Sequence, residues 1–505
     1  MLVENKKEII NLLMKKNYMV SPDVIPLFDN IPDYDLFLKK LNSLDKISCS
    51  KVFTKNDFDM LIKDNEKENN LDELKEKDIL DENNLSVIFS YDKKPIKREI
   101  QHFTTYFKKR YDILKNILYS RQELQNASSI RRIRQKEQSE NVALIGLVNK
   151  IKISYNGNYF IDVEDITGNI KVIVTKKNKE VIEKVKDLVH DEVIGITGMA
   201  SKDVVFANDI IFPDVPLNKE FKKCSDDVCA VFLSDLHVGS DCFLQKQFED
   251  FISWVNMEMG NDEQKQLAKK VKYIFIVGDL VDGVGIYPNQ NKDLNIEDIS
   301  QQYEECAKLL SKIRKDIKII VCGGNHDALR LAEPQPKLNE KYAKSLYELN
   351  NITIVSNPSY INIHKTKDFP GFDVLMYHGY SFDYYVSNIT SIRNNGGYDR
   401  ADLIMSFLLK KRHLAPAHTS TLYIPDEDFD PLIINKIPDF FVTGHIHKAN
   451  VSNYKNVSLI CCSCWQPMTD FQERVGHTPE PCRVPVVNFK TRKTKIINFE
   501  NVTSK

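Results

Sequence analysis

The sequence lacks any stretch that approaches the ~20 consecutive apolar residues of a membrane helix. It also lacks a secretory signal, because its N-terminal run MLVENKKEIINLLMKKN is charged and amphipathic. Its 10 cysteines show no regular pairing, which argues against a disulfide framework and favours a reducing compartment. These absences exclude membrane transporters and small secreted scaffolds, and we expect a cytoplasmic protein with no membrane partner.

An excess of charge of one sign is missing as well. The chain has 70 Lys and Arg against 71 Asp and Glu, so its net charge of −1 says nothing about nucleic acid. The distribution is more informative, since Ile96–Lys136 holds eleven Lys and Arg against three Asp and Glu. A basic helix there could follow a phosphate backbone. The alternative is a solvated helix that leads into the next domain.

Three clustered cysteines raise the question of a zinc site. Cys461 and Cys464 form a C-x-x-C around Cys462, but the chain has no second C-x-x-C, and the other nearby thiol is Cys482. The run SLICCSCW has the pattern of a strand. We therefore predict buried strand cysteines and no zinc site.

The N-terminal part of the chain predicts a helical module followed by a linker. Residues 1–60 carry apolar residues at helical spacing, interrupted by turns at Ser21 and Asn30. This module is either an adaptor for another protein or a plain solvated bundle. Residues 61–138 comprise a charged linker, at Lys63–Asn84, and the basic helix.

The next segment, 139–216, has the pattern of a small β-barrel. Three strand-like runs come first, with a hairpin signal at Asn156-Gly157, and the helical patch NKEVIEKVKDLV precedes two more runs. Three strands, a helix and two strands is the layout of an OB-fold, which often binds single strands through basic grooves and aromatics. The candidate stacking residues are Tyr155, Tyr159, Phe160 and Phe206. A docking platform for another domain is the alternative.

In residues 222–505, strand-like apolar runs alternate with helical stretches, which predicts an α/β core of stacked sheets between helices. Five of the runs, CAVFL, YIFIV, IKIIVC, DVLMY and FFVT, are each followed by polar motifs: SDLHVG, VGDLVDG, GGNHDA, YHGYSFD and TGHIHK. In α/β sheets, ligands gather at the carboxyl ends of strands. One rim could therefore bring together the following side chains: Asp235, His237, Asp279, Asn325, His378, His445 and His447.

This donor set is rich in oxygen and imidazole, and it contains no thiolate. Such a set suits hard or borderline ions, namely Mn²⁺, Fe²⁺ or Zn²⁺, with Mg²⁺ as a further candidate. Seven donors are enough for two divalent ions, and ion pairs are a common device for displacement at phosphorus. We expect two divalent metal ions, with Mn²⁺ as the first choice.

The ordered motifs DxH, GDxxD, GNHD, H and GHxH resemble the calcineurin-like metallophosphoesterase superfamily. The resemblance implies one metal held by Asp235, His237 and His447. It implies a second metal held by Asn325, His378 and His445, with Asp279 as a bridge. It also implies that His326 is a catalytic residue that faces the leaving oxygen and that Asp282 orients His326.

Over residues 140–500 the chain further resembles the small subunits of archaeal family-D DNA polymerases. The motifs that carry this resemblance are LLKKRHLAPAH, WQPMTDFQ and PCRVPVVNF, together with the barrel-like segment upstream. The resemblance implies an α/β multi-domain chain with an N-terminal helical module, an OB-fold and a C-terminal calcineurin-like metallophosphoesterase. It also marks four residues as candidate DNA contacts, although a basic run of this kind is usually a solvated face: Lys410, Lys411, Arg412 and His413.

The function implied is a 3′→5′ exonuclease that proofreads as one subunit of a replicative polymerase. Its partners would be a large catalytic subunit and single-stranded or mismatched DNA 3′ ends, and a sliding clamp or other replication proteins are further candidates. Two alternatives stay open. One is a non-catalytic structural subunit, which the complete ligand set argues against, and the other is a stand-alone phosphomonoesterase or phosphodiesterase, which would not need the barrel.

Overall fold

A computed structural model of the chain describes residues 84–500 apart from 95, 202, 470–471 and 474–477. Before residue 84 it describes 9–10, 12–14, 19–20, 24–31, 37, 52–53 and 58. The chain divides into two units, Met1–Asn83 and Asn84–Lys505. The second unit combines a β-barrel with a layered α/β region, so the chain is a mixed α/β, multi-domain protein.

In the first unit, strands β1 (Met19–Val20) and β2 (Val52–Phe53) pair in parallel, and a 3₁₀ helix spans Ile25–Asn30. A small apolar cluster is buried there, made of Ile9, Leu13, Val24, Phe28, Phe37 and Phe58. The helical module over 1–60 stays a prediction. The predicted linker lies outside the described residues except for Asn84.

The segment before the barrel contains strand β3 (Leu85–Ser90) and helices α1 (Ile100–Tyr119) and α2 (Ile130–Arg134). Glu99 and His102 form a capping box at the start of α1, and Ser129 caps α2. Helix α1 buries one face, and this face includes Arg110 as well as apolar side chains. The predicted basic helix is therefore a packed helix with a solvated opposite face.

The barrel consists of β4 (Glu140–Ile153), β5 (Tyr159–Asp165), β6 (Gly168–Val174), α3 (Lys179–Lys186), β7 (Val193–Ser201) and β8 (Val204–Ile211). Its strands close in the order β4-β5-β6-β8-β7. The turn between β4 and β5 uses Gly157 at φ +78°, a conformation that glycine adopts without strain. Alternate valines and isoleucines of the strands fill the interior. The elements lie where the sequence predicted them, and the specific assignment as an OB-fold stays a prediction.

The remaining elements follow in chain order. They are β9 (Cys229–Leu233), α4 (Gln245–Val255), α5 (Asp262–Lys269), β10 (Val271–Val277), α6 (Ile299–Ser311), β11 (Lys318–Cys322), α7 (Glu340–Tyr347), β12 (Ile352–Ile354), β13 (Ser359–Ile363), β14 (Phe372–Met376), α8 (Phe382–Asn388), α9 (Thr390–Arg393), α10 (Ala401–Lys411), β15 (Phe440–Thr443), β16 (Asn450–Tyr454), β17 (Val457–Cys461), β18 (Arg483–Asn488) and β19 (Thr494–Asn498).

These strands form two six-stranded sheets. The first has the order β12-β11-β10-β9-β18-β19, and its strands β9 to β12 are parallel. The second has the order β16-β17-β15-β14-β13-β3, and β14, β15 and β17 are parallel. In β9, Val231 and Leu233 pack on the helical side while Ala230 and Phe232 pack between the sheets. Burial on both faces explains why the strand is a continuous apolar run.

Strand β3 lies between the predicted linker, Lys63–Asn84, and the predicted basic helix, in a segment where no strand was predicted. Residues 85–90 pair antiparallel with β13 and form the edge of the second sheet, so the α/β region begins well before residue 222. An edge strand needs partners on one side only, and this one is half exposed. Its sequence, LSVIFS, does contain an apolar run, but the prediction did not use it.

The three clustered cysteines are buried with free thiols, as predicted. Cys461 ends β17, and Cys462 and Cys464 follow it at 0 % exposure. Among the residues that the structure describes, no helix is both long and apolar enough to cross a membrane.

Candidate metal centre

The five polar motifs meet at one rim of the two sheets. Asp235 and Asp279 each come two residues after a strand, β9 and β10, and Asn325 comes three residues after β11. His378 and His445 each come two residues after β14 and β15. Because these strands are parallel within their own sheets, their carboxyl ends bring the seven predicted ligands to the same edge.

Several residues at this rim have left-handed backbone conformations, which are uncommon for residues other than glycine. Five of the predicted ligands have positive φ angles, between 50° and 69°, although none is a glycine: Asp235, His237, Asp279, His445 and His447. Each such residue costs on the order of 1–3 kcal/mol, and such strain concentrates at functional sites. The surrounding strands hold the turns in a conformation that aims these side chains inward.

Asp235, His237 and His447 form the first cluster, with ligand atoms all within 4.8 Å of one another. Nε2 of His447 lies 3.3 Å from Oδ1 of Asp235 and 3.3 Å from Nε2 of His237. Oδ1 of Asp235 is buried and accepts no hydrogen bond from the described residues. Its other oxygen accepts hydrogen bonds from Ser234 Oγ at 2.5 Å and from the His445 amide at 3.0 Å.

Asp279, His378 and His445 form the second cluster. The His378 Nδ1–H donates to the carbonyl of Val277 at 2.8 Å, so the lone pair of Nε2 points into the site. That nitrogen lies 3.2 Å from Oδ2 of Asp279 and 3.0 Å from Oδ1 of Asn325. His445 contacts the carboxylate of Asp383 at 3.0 Å through Nε2, which fixes its ring.

The donor chemistry of both clusters fits a cation. Carboxylate oxygens, an amide oxygen and imidazole lone pairs converge in a buried space, and such groups repel one another unless positive charge lies between them. Burial opposes charge on His378, but the neighbouring Asp279 carboxylate nevertheless raises its pKa to about 10. Neighbouring histidines hold the pKa of Asp279 well below its usual range against the effect of burial. Both shifts have the direction expected for a site that favours positive charge.

Two glycines of the motifs leave room for these ligands. A Cβ on Gly444 would lie 2.5 Å from Oδ2 of Asp235. A Cβ on Gly324 would overlap Oδ1 of Asp279 and lie 2.8 Å from Nε2 of His378. The motifs GNH and GHxH thus need glycine for close approach.

The contacts of Asp282 differ from those predicted. Its carboxylate accepts the Nδ1–H of His237 at 3.1 Å and hydrogen bonds from the amides of Gln290 and Gln466 at 2.8 and 3.2 Å. Only its backbone carbonyl contacts His326, accepting the Nδ1–H at 2.8 Å. The positive φ of His237 turns that ring toward the carboxylate, so the Asp282 side chain positions a predicted metal ligand and not His326.

His326 is partly buried and lies close to the buried side chains of His237 and Asp282. Its backbone N–H donates to Oδ1 of Asp279 at 2.8 Å, which ties the loop after β11 to the centre. Burial lowers the pKa of His326. Because Nδ1–H is engaged with Asp282, Nε2 is the nitrogen that faces the site.

The predicted DNA contacts at Lys410–His413 are wrong for three of the four residues. Lys411 pairs with Glu192 of the barrel at 2.7 Å and has 0 % side-chain exposure, and Arg412 donates to the carbonyl of Ile434 at 2.6 Å. His413 is buried against Asp430 at 2.8 Å. The segment ends α10 at the seam between barrel and α/β region, so its charges are satisfied inside the protein. Lys410 alone is partly exposed, with its ammonium 4.4 Å from the ring centre of Phe212.

Several residues that support the ligands were not predicted. The side-chain amide of Gln472 lies 2.7 Å from Nδ1 of His447, and Gln466 and Gln290 hold Asp282. Gln466 and Gln472 belong to the WQPMTDFQ run, and Asp383 follows the fourth motif in YHGYSFD. Asp383 could have been found from its position next to the fourth motif. For the glutamines, which are uncharged and distant in sequence from the ligands, no pattern indicates which ligand each one contacts.

Comparison with known proteins gives consistent relatives. The family of the B subunits of DNA polymerases alpha and epsilon matches residues 230–451. The DNA polymerase II small subunit of Methanothermobacter thermautotrophicus is 41% identical over 390 residues, covering 77% of this chain and 78% of that one. That of Archaeoglobus fulgidus is 41% identical over 387 residues, covering 77% and 75%. A solved structure described as a novel archaeal phosphodiesterase is 14% identical, with a TM-score of 0.27, and covers 54% of this chain and 99% of that one.

Proposed function

The chain belongs to the family of archaeal DNA polymerase II small subunits, that is, of family-D polymerases, and from this membership we propose that it is the 3′→5′ exonuclease of such a polymerase. The observation that carries the proposal is the pair of buried clusters of carboxylate and imidazole groups, together with Oδ1 of Asp235, which accepts no hydrogen bond from the described residues. A purely structural subunit would have no need to hold five ligands in strained backbone conformations.

We assign one divalent ion to Asp235, His237 and His447, and a second to Asn325, His378 and His445, with Asp279 between them. Mn²⁺ is our first choice for mixed carboxylate, amide and imidazole ligands. When bound, the two ions would act as Lewis acids on the scissile phosphate and lower the pKa of a water molecule.

The residues around the centre have separate tasks. The Asp282 carboxylate holds His237 in the tautomer whose Nε2 is free to ligate, and the carbonyl of Val277 does the same for His378. His326, held by the Asp282 carbonyl, can carry a proton on Nε2 and give it to the departing 3′ oxygen as the P–O3′ bond breaks. Water adds to phosphorus, and the products are a nucleoside 5′-monophosphate and a strand with a new 3′ hydroxyl.

We treat the barrel as an OB-fold that guides DNA toward the site. Phe160, Ile173 and Phe206 lie side by side on the outer face of β5, β6 and β8, and Phe206 is 41% exposed. Tyr155 in the β4–β5 turn is fully exposed. Aromatic groups on a barrel surface offer stacking to unpaired bases. Polymerisation itself would belong to a separate large catalytic subunit, with which this chain would co-purify.

The test is degradation of labelled primer–template DNA by the purified chain, alone and with its large subunit, in Mn²⁺. We expect loss of nucleotides from the 3′ end, faster for a mismatched terminus, because freeing a paired terminus costs a few kcal/mol. Equal trimming of both ends, or faster hydrolysis of p-nitrophenyl phosphate than of DNA, would favour a stand-alone phosphoesterase. No hydrolysis of any substrate by the reconstituted complex would favour a structural subunit.

His326→Ala separates catalysis from metal binding. The variant should lose ~10²–10⁴-fold in rate, the usual range for a general acid. Elemental analysis should still find both ions, and His445→Ala is the matched variant that should lose one. Loss of an ion from His326→Ala would make His326 a ligand.

A further inference from the structure

A cavity of about 730 Å³ is lined by His326 and by none of the seven predicted metal ligands. This volume lies within the range of about 300–1,000 Å³ typical of small-molecule sites. The loop after β3, the loop after β10, the segment after His326 and helix α7 form its walls, with lining residues that include Lys94, Val284, Ile286, Arg330, Lys337 and Tyr342. A single nucleotide would fit in this space.

The charge of the cavity suits a phosphate. Four lysines and arginines line it against two aspartates. One of these, Asp327, is occupied by the amide of Gly324 at 2.8 Å and the hydroxyl of Tyr303 at 3.0 Å. Lys93 pairs with Asp426 at 2.7 Å. Lys94 and Lys337 form no ion pair with any residue that the structure describes, and both reach solvent.

Other walls of the cavity are apolar and open to solvent. Val284 is 50% exposed and Ile286 is 39% exposed, and the ring of Tyr342 stands on the opposite element, α7. Exposed aliphatic groups and a ring next to two unpaired ammonium groups are suited to a base and a sugar beside a phosphate.

The position of His326 indicates which nucleotide of the DNA strand the cavity would bind. In an in-line displacement, the leaving oxygen departs opposite the attacking water. The oxygen that departs here is the 3′ oxygen of the penultimate nucleotide, which remains with the strand. A group that protonates this oxygen must stand between the metal centre and that nucleotide, and His326 lines the cavity.

We propose that the cavity lined by Lys94, Lys337, Ile286 and Tyr342 binds the penultimate nucleotide of the DNA strand, which becomes the new 3′ end after cleavage. Lys94 and Lys337 contact the phosphate on the 5′ side of that nucleotide. The inference rests on the proposed exonuclease function. It assigns the cavity to the strand that is retained and not to the nucleotide that is removed.

The double variant Lys94→Ala/Lys337→Ala tests the assignment, with Lys490→Ala as control. Strand β18 runs antiparallel to β9, so its last residue lies beside the first residue of β9. Lys490 follows β18 and therefore lies at the end of the sheet opposite the predicted metal ligands. Fluorescence anisotropy in EDTA measures binding of a single-stranded oligonucleotide without turnover. We expect about tenfold weaker binding for the double variant, and a salt slope reduced by about 0.7 for each lost contact.

Turnover in Mn²⁺ gives a second readout. KM for DNA should rise about tenfold in the double variant. The internal reference is kcat/KM for bis(p-nitrophenyl) phosphate, which has no second phosphate for Lys94 and Lys337 to contact. A neutral methylphosphonate placed 5′ of the penultimate nucleotide should raise the wild-type KM to a similar extent and add little further loss to the double variant.

The outcomes distinguish the two proposals. A wild-type enzyme that degrades DNA, with a double variant identical to it in binding and KM, overturns the cavity assignment alone. An equal loss on bis(p-nitrophenyl) phosphate also overturns it, because the lysines would then act on the metal centre. A wild-type protein that cleaves no DNA overturns the proposed function, whatever the binding data.

Discussion

The Asp430 cluster and the candidate metal centre are both built from buried histidine and aspartate. They differ in how far the carboxylate oxygens are satisfied by hydrogen-bond donors of the protein. In the Asp430 cluster, formed by Tyr106, Arg110, His413 and Asp430, both carboxylate oxygens are satisfied. Oδ2 accepts from Arg110 at 2.7 Å and His413 at 2.8 Å, and Oδ1 accepts from Tyr106 at 2.7 Å. In the candidate metal centre, Oδ1 of Asp235 accepts no hydrogen bond from the described residues, and Nε2 of His378 lies 3.2 Å from a carboxylate oxygen of Asp279 and 3.0 Å from the amide oxygen of Asn325.

The presence of buried histidine and aspartate therefore does not distinguish the candidate metal centre from the Asp430 cluster. The number of hydrogen-bond donors available to each carboxylate does. The Asp430 cluster supplies its own cation, Arg110, and so closes the contact between α1 and the α/β region. The two clusters of the candidate metal centre contain no Lys or Arg, so a divalent ion would balance their acceptors. Substitutions in the Asp430 cluster should therefore affect stability, and substitutions in the candidate metal centre should affect activity.

Asp279→Asn should give the largest effect of all. It removes the carboxylate that lies between the two ion positions, so we expect activity to fall by roughly 10³-fold or more, since metal catalysis contributes several kcal/mol. The metal-free protein should lose some thermal stability as well, because the substitution removes the carboxylate charge that pairs with His378. Nuclease assays and calorimetry on the same preparation check both parts, and wild-type activity in a folded variant would remove Asp279 from the site.

Asp430→Asn should show the reverse pattern. It leaves Arg110 buried without its partner, which typically costs about 3–5 kcal/mol of unfolding free energy. Activity per folded molecule should stay close to wild type at low temperature. Urea unfolding measures the loss, and an undiminished stability together with lost activity would reverse the roles assigned to the two clusters.

The pH dependence of stability should report on the Asp430 cluster. Burial, together with Arg110, lowers the pKa of His413 from about 6.5 to about 4. The folded state thus favours the neutral ring, and this stability is present above pH ~6.5 and disappears as pH falls through ~4, a change on the order of 3 kcal/mol. Urea titrations from pH 7 to 4 on wild type and His413→Gln should show a shallower slope in the variant, and equal slopes would contradict the account.

Asp282→Asn should give the smallest effect, on metal affinity first. Supporting partners of metal-bound histidines are typically worth ~10–100-fold in affinity or activity. Because the carboxylate contacts His237 and not His326, raising the Mn²⁺ concentration should restore most of the rate. A loss that metal cannot restore, equal to that of His326→Ala, would return Asp282 to the role first predicted for it.

Much of the metal centre could be predicted from local pattern. Five apolar runs, each followed within a few residues by Asp, Asn or His, specify strand ends, and parallel strands bring their ends together. The same reasoning failed for Lys411, Arg412 and His413. A basic run at the end of a helix has the same sequence pattern whether it is exposed to solvent or buried against a neighbouring domain. Glu192, which pairs with Lys411, lies more than two hundred positions earlier in the chain, and nothing local connects the two.

By itself, the sequence determined the family, the five strands that end at the candidate metal centre, and the residues that we propose as its ligands. These follow from short-range periodicity and from motifs whose members are close in sequence. Only the tertiary structure decided that the Asp282 carboxylate contacts His237, that β3 forms the edge of the second sheet, and that Lys411, Arg412 and His413 are buried. The physical reason is that hydrogen bonds and burial between distant segments depend on which surfaces meet after the chain has folded, and that information is not carried by any single segment.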